Sequence, residues 1–119
     1  MRTSDLQGAQ LNLWCARAEG WTRDLIVPFQ WHHKTNGLYS LEDGLQFSSD
    51  WALGGPIIER ERITLTWLEH QWFAELAQDR IVVAAPYFSG STALEAAMRA
   101  YVDSKFGSEV DEAPPIALP

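Results

Sequence analysis

The sequence predicts an α+β domain: an antiparallel β-sheet, made of a three-stranded meander plus a short N-terminal hairpin, with an N-terminal and a C-terminal helix packed on one face. Three observations carry this. A T-x-x-E capping box at Thr92 and Glu95 opens a run in which Leu94, Ala97, Met98, Tyr101, Val102 and Phe106 recur at helical spacing. "ITLTWL", residues 63–68, alternates apolar and polar side chains with the period of a half-buried strand. Asn36-Gly37 is the strongest short hairpin signal.

The elements follow in order. Ser4 and Gln7 fit a capping box, and Leu6, Leu13 and Trp14 share a helical face with Ala9 and Ala16. Gly20 terminates that helix, while Gly8 weakens its first turn and is an alternative start. "LIV", Leu25 to Val27, reads as a short strand interrupted by Pro28, and two short strands flank Asn36-Gly37. "LEDGLQFSSD" reads as loop. After "ITLTWL" the chain turns through Leu68-Glu69-His70-Gln71. "WFAEL" is then the second strand of the meander, and "IVVAA", Ile81 to Ala85, is the third. "YFSGST" is a loop and cap ahead of the last helix, which Gly107 ends. Residues 1–110 form one compact domain, and the acidic, proline-rich residues 111–119 form a flexible tail.

Composition narrows the function. The chain has 119 residues, 46% hydrophobic and 21% charged, as expected of one globular domain. No apolar run is long enough to span a membrane, and "MRTSDLQGAQ" lacks the apolar region of a secretory signal. The single cysteine, Cys15, cannot form an internal disulfide and fits a reducing cytoplasm. The net charge is −7, from 16 acidic and 9 basic residues. That balance disfavours direct binding to phosphate backbones.

No constellation points to catalysis, and neither a cofactor nor a metal is expected. His32 and His33 are adjacent, so in a strand they face opposite sides, and no H-x-x-x-H or C-x-x-C is present. Cys15 lies inside an amphipathic helix, where a buried, inert thiol is expected. Glu59 and Glu61, alternating with Arg60 and Arg62, read as a charged sheet edge rather than an acid–base pair. The chain holds six tryptophans. Core packing is the default for each, with Trp67 facing Trp72 across the hairpin.

"SSDWALGGPIIERERITL", residues 48–65, reads as a structured loop leading into a strand. Asp50 accepts backbone N–H bonds just ahead, Gly54 and Gly55 permit a turn, Pro56 fixes the exit, and Ile57 or Ile58 anchors the loop. Glu59 to Arg62 then run outward along the sheet edge. Trp51 has no evident job in that turn. It is expected partly exposed beside Gly54-Gly55, at the centre of a partner-binding patch of Asp50, Trp51, Gly54, Gly55, Pro56 and Glu59.

"SDWALGGPIIERERITL", Trp72-x-Ala74, "STALEAAMRAYVDSKFGSEVD" and the N-terminal "SDLQGAQLNLWCARAEG" together resemble the NinX-like family of short phage and prophage proteins. The likeness covers most of the chain outside residues 22–46. Ala93 stands where relatives often have proline, and it still supports a helix start. The resemblance implies a small accessory protein in the cytoplasm of a bacterial host, with no reaction attached. The expected function is therefore non-enzymatic binding of a host or phage protein, by a monomer or weak dimer. The alternative is a nucleic-acid adaptor with a double-stranded-RNA-binding-like order of elements, using Arg60, Arg62, Arg80 and Arg99.

Overall fold

The computed structural model describes residues 1–76 and 87–111. The fold class is α+β, and the described residues form three α-helices and two antiparallel sheets of three strands each. A 3₁₀ turn at Thr3–Asp5 precedes α1 (Gly8–Ala18). β1 (Trp21–Arg23), β2 (Gln30–His33) and β3 (Tyr39–Leu41) form the first sheet in sequence order. A second 3₁₀ turn, Glu42–Gly44, leads toward α2 (Trp51–Glu61). β4 (Ile63–Leu68), β5 (Gln71–Leu76) and β6 (Phe88–Gly90) form the second sheet, and α3 (Ala93–Phe106) closes the chain onto it.

The first helix starts later than Ser4. Gly8 takes a left-handed φ of 55°, which separates the 3₁₀ turn from α1, and Gln7 is the N-cap without a side-chain bond. Thr3 is buried, and its hydroxyl donates to the Gly107 carbonyl at 2.6 Å. Leu6, Leu13, Trp14 and Ala16 are buried as the stripe requires, whereas Ala9 is exposed. Gly20, at φ 96°, ends the helix.

"LIV" is not a strand. Asp24 Oδ1 accepts from the N–H groups of Ile26 at 2.7 Å and Val27 at 2.9 Å, closing a side-chain turn that competes with sheet pairing. Pro28 removes a further donor. The strands lie on either side of this turn, with Trp21 opposite His33 and Arg23 opposite Trp31. Leu25, Ile26 and Phe29 consequently stand exposed at the tip. The β2–β3 hairpin brackets Asn36-Gly37 as expected, with Gly37 at φ 72°. The N-terminal strands therefore form a separate three-stranded sheet, where a two-stranded hairpin within a single sheet was expected.

The largest departure is the segment after Asp50. Residues 51–61 are helical, so neither a loop nor a charged sheet edge describes them. Asp50 is the N-cap, its carboxylate accepting from Ala52 N–H at 2.9 Å. Pro56 cannot bond back to the Ala52 carbonyl, but Ala52 and Pro56 are both exposed, so water can serve that oxygen. Ile57 is buried and anchors α2, and Arg62, at φ 55°, turns the chain into β4.

β4 and β5 pair in the expected register, with Trp67 opposite Trp72 and ring centroids 5.4 Å apart. The described third strand is Phe88–Gly90, within the stretch read as a loop; Ile81 to Ala85 lie outside the described residues. α3 behaves as its stripe predicts: Leu94, Ala97, Met98, Tyr101 and Val102 are buried, while Phe106 stays partly exposed against Trp14. Thr92 Oγ1 accepts from Glu95 N–H, and Glu95 in return accepts from Ser91 N–H. One core joins side chains from α1, β2, α2, β4, β5 and α3. Residues 112–119, most of the expected tail, lie outside the described residues.

Candidate functional site

α2 sorts the six candidate residues onto two sides. Trp51, Ala52, Pro56 and Glu59 are exposed and Gly55 is half-buried, which at about 100° per residue makes one continuous outward face. Asp50 stands at its N-terminal end. Gly54 points the other way and is buried: a Cβ there would lie 2.4 Å from Leu94 Cδ2 and 2.8 Å from the Phe47 carbonyl oxygen. It belongs to the packing of α2 on α3 and not to the surface. Trp51 keeps 56% of its surface exposed, and its Cε3 lies 3.8 Å from where a Gly55 Cβ would stand. Small residues beside the indole leave its ring uncovered. The face thus offers an aromatic centre, a proline ring and a carboxylate rim.

The sequence did not reveal what holds this helix in place. Arg60 donates from Nη1 to Glu19 Oε1 at 3.1 Å and from Nη2 to Glu19 Oε2 at 2.7 Å, a two-pronged contact. Its Nε donates to Glu61 Oε2 at 2.8 Å. The Tyr101 hydroxyl donates to the same Glu19 carboxylate, tying the end of α1 to α2 and α3. Burial pushes the Glu19 carboxyl up, but the Arg60 and Tyr101 hydrogen bonds outweigh it and hold the group below its ordinary range. Burial, then the Glu19 bond, pushes the Tyr101 phenol up. These partners are 41 and 82 residues apart in sequence, so no local pattern announces them. A second tie sets the approach to Asp50: Asn12 Oδ1 accepts from Ser48 N–H at 2.8 Å, and Asn12 Nδ2 donates to Gln46 at 3.0 Å.

Two of the arginines named for nucleic acid bond within the fold. Arg60 is engaged as above, and Arg99 donates to the carbonyls of Leu6 and Ser89, each at 2.7 Å. Arg62 is exposed, and Arg80 lies outside the described residues. Cys15 is buried, and its thiol is pushed strongly up, first by burial and then by the Glu19 charge. His33 Nε2 donates to the Glu19 carbonyl at 2.8 Å and its Nδ1 accepts from Thr35 N–H at 3.2 Å, so both ring nitrogens are in use. Among the described residues no cluster of three or more metal-binding side chains occurs. A cleft of about 150 Å³ lies between α1 and the first sheet, lined by Asn12, Trp31, Glu42 and Gln46 among others. Two more open clefts are larger, about 400 Å³ beside Met1, Trp14 and Phe106 and about 560 Å³ beside Arg2, Phe88 and Asp103. No helix among the described residues is long and apolar enough to cross a membrane.

No curated protein matches the chain. A family model described as "Bacteriophage P22, NinX" matches residues 2–105, which takes in both sheets, all of α1 and α2, nearly all of α3 and the segment 22–46. The chain therefore belongs to the NinX family of phage proteins.

Proposed function

We propose that this protein is a non-enzymatic accessory protein of a phage or prophage that works in the cytoplasm of the bacterial host. It binds a host or phage protein through the outward face of α2. The observation that supports this is the placement of Trp51: a large aromatic ring, 56% exposed, on the surface of an anchored helix. Trp is strongly enriched among the residues that dominate binding energy, because it buries a large, rigid surface at small entropic cost. Gly55 and Pro56 beside it leave room for a partner to approach the backbone, and Asp50 and Glu59 supply a charged rim. Asn12 and the Glu19–Arg60 contact hold both ends of the helix, so the face is formed before the partner arrives.

The test is affinity capture from lysate of phage-infected host cells, comparing the intact protein with Trp51→Ala. The variant loses the partner, with affinity down at least about thirtyfold, while its melting temperature stays near that of the parent. A variant that folds normally and captures the same protein equally well removes the α2 face from consideration.

A further inference from the structure

The hairpin signal Asn36-Gly37 holds a reactive pair as well as a turn. Lys34 to Leu38 are all exposed, so water reaches the β2–β3 connection. Three groups stand together there. The first is an electrophile, the carboxamide carbon of Asn36. The second is a nucleophile, the Gly37 nitrogen, one residue along. Among the described residues no group accepts from its N–H, and a Cβ built on Gly37 would meet nothing within 4 Å. The Gly37 peptide is therefore unobstructed, and glycine has no side chain to shield its nitrogen. The third is a donor. Leu38 N–H lies 2.9 Å from Asn36 Oδ1, the oxygen on which negative charge develops when the carboxamide carbon is attacked. The other asparagine of the chain, Asn12, has none of this. It is 8% exposed, lies inside α1 and is followed by Leu13. Its Oδ1 accepts from Ser48 and its Nδ2 donates to Gln46, while the helical ladder engages the backbone around it.

We propose that Asn36 is a self-modification site of the folded protein, where attack by the Gly37 nitrogen converts the amide into an acid and opens the β2–β3 turn. In the first step the Gly37 nitrogen bonds to the Asn36 carboxamide carbon, and the C–N bond to the side-chain NH2 breaks. The displaced group takes up the Gly37 N–H proton and leaves as ammonia. A five-membered imide remains. In the second step water adds its OH to one of the two imide carbonyl carbons and its proton to the nitrogen. Cleavage on the side-chain side gives aspartate. Cleavage on the main-chain side gives isoaspartate, in which the chain runs through the former carboxamide carbon. Nothing is oxidised or reduced, and water is the only other reactant. Either product places one further negative charge on a chain already at −7. Isoaspartate does more. It lengthens the main chain by one CH2 inside a tight connection, and the carbonyl that served Leu38 N–H becomes part of that chain. The turn depends on close register at this point: His33 N–H donates to the Leu38 carbonyl at 2.8 Å, and His33 Nδ1 accepts from Asn36 N–H at 3.3 Å. An added backbone atom displaces both partners, so the modification loosens β3 from β2.

Peptide mapping by mass spectrometry tests this on the intact chain at neutral pH, beside a sample unfolded in urea. The folded chain gains the mass of one NH2-to-OH exchange, confined to the peptide that holds Asn36, and both aspartate and isoaspartate appear there. The folded-state rate lies within about tenfold of the unfolded-state rate or above it. Asn36→Gln and Gly37→Ala each suppress the conversion. The first keeps the turn glycine and enlarges the ring to be closed; the second puts a side chain beside the nitrogen at a φ of 72°. In the isoaspartate fraction the His33 amide loses protection from hydrogen exchange, while the paired amides of β4 and β5 keep theirs. A folded chain that does not convert, or one more than about tenfold slower than the unfolded chain, a barrier higher by about 1.4 kcal/mol, overturns the inference. Conversion that maps to Asn12 or persists in Asn36→Gln overturns it as well, as does an isoaspartate chain whose His33 amide stays as protected as before.

Discussion

At Gly54 a methyl group would meet Leu94 Cδ2 at 2.4 Å and the Phe47 carbonyl oxygen at 2.8 Å, whereas at Gly55 its nearest neighbour is Trp51 Cε3 at 3.8 Å. Alanine is favoured over glycine inside a helix by about 1 kcal/mol at either position. At Gly54 that gain is overturned, because α2 must move off α3 at a cost of about 1–3 kcal/mol or more. Gly54→Ala should therefore lower the melting temperature, and Gly55→Ala should raise it slightly, both followed by circular dichroism. Glu19 gives the second prediction at this scale. Its carboxyl is held below the ordinary value, so its contribution to stability is complete above the unfolded carboxylate range and fades as pH falls through the lower folded value. Glu19→Gln should be less stable than the parent at pH 7. The gap should close on acidification below about pH 4, where the parent loses the Arg60 contact as well. A gap that is constant with pH would show that the carboxylate charge is not what joins the helices.

α3 and α2 have the same kind of cap and a similar apolar side, yet only α3 was legible in the sequence. In α3 every cue is local: Thr92 and Glu95 at the start, the stripe through Met98 and Val102, and Gly107 at the end. α2 begins with an equally good cap at Asp50, but Gly54, Gly55 and Pro56 follow within one and a half turns and are each poor helix formers. Tertiary contacts overrule them. Gly54 gains from close approach to Leu94, and Ile57 reaches the core, neither of which spacing alone can disclose. The same reasoning accounts for the candidate face. The exposure of Trp51 was expected from its lack of a role in the turn, while the inward direction of Gly54 needed the helix to be known. "LIV" misled for the opposite reason, since strand-forming side chains lost to one aspartate that closes a local turn. For α3 the contrast between stripe and cap is measurable by chemical denaturation. Met98→Ala, at a site with no exposure, should cost about 2–4 kcal/mol, and Glu95→Ala about 1 kcal/mol.

At the scale of the molecule, the two outer segments of the described chain are fastened to each other. Arg2 bridges Glu109, Met1 and Val110 exchange backbone bonds at 2.9 and 3.0 Å, and Thr3 bonds to both Gly107 and Ser108. Truncation after Val110 keeps all of these contacts and should leave the melting temperature nearly unchanged. Truncation after Phe106 removes them, uncovers the buried Thr3 and should lower it by several degrees, read by differential scanning calorimetry. None of this pairing was legible, because its partners stand at opposite ends of the sequence and neither segment has a repeating pattern. It also has a consequence in time. Translation proceeds at about 5–20 residues per second, so Thr3 is made roughly 5–20 seconds before Gly107, 104 residues later, can accept its hydroxyl. Throughout that interval Leu6 and the stripe of α1 have no α3 to pack against. The segment around Thr3 must wait, unsealed, until Gly107 has been made, and during that interval it stands open to chaperones and proteases.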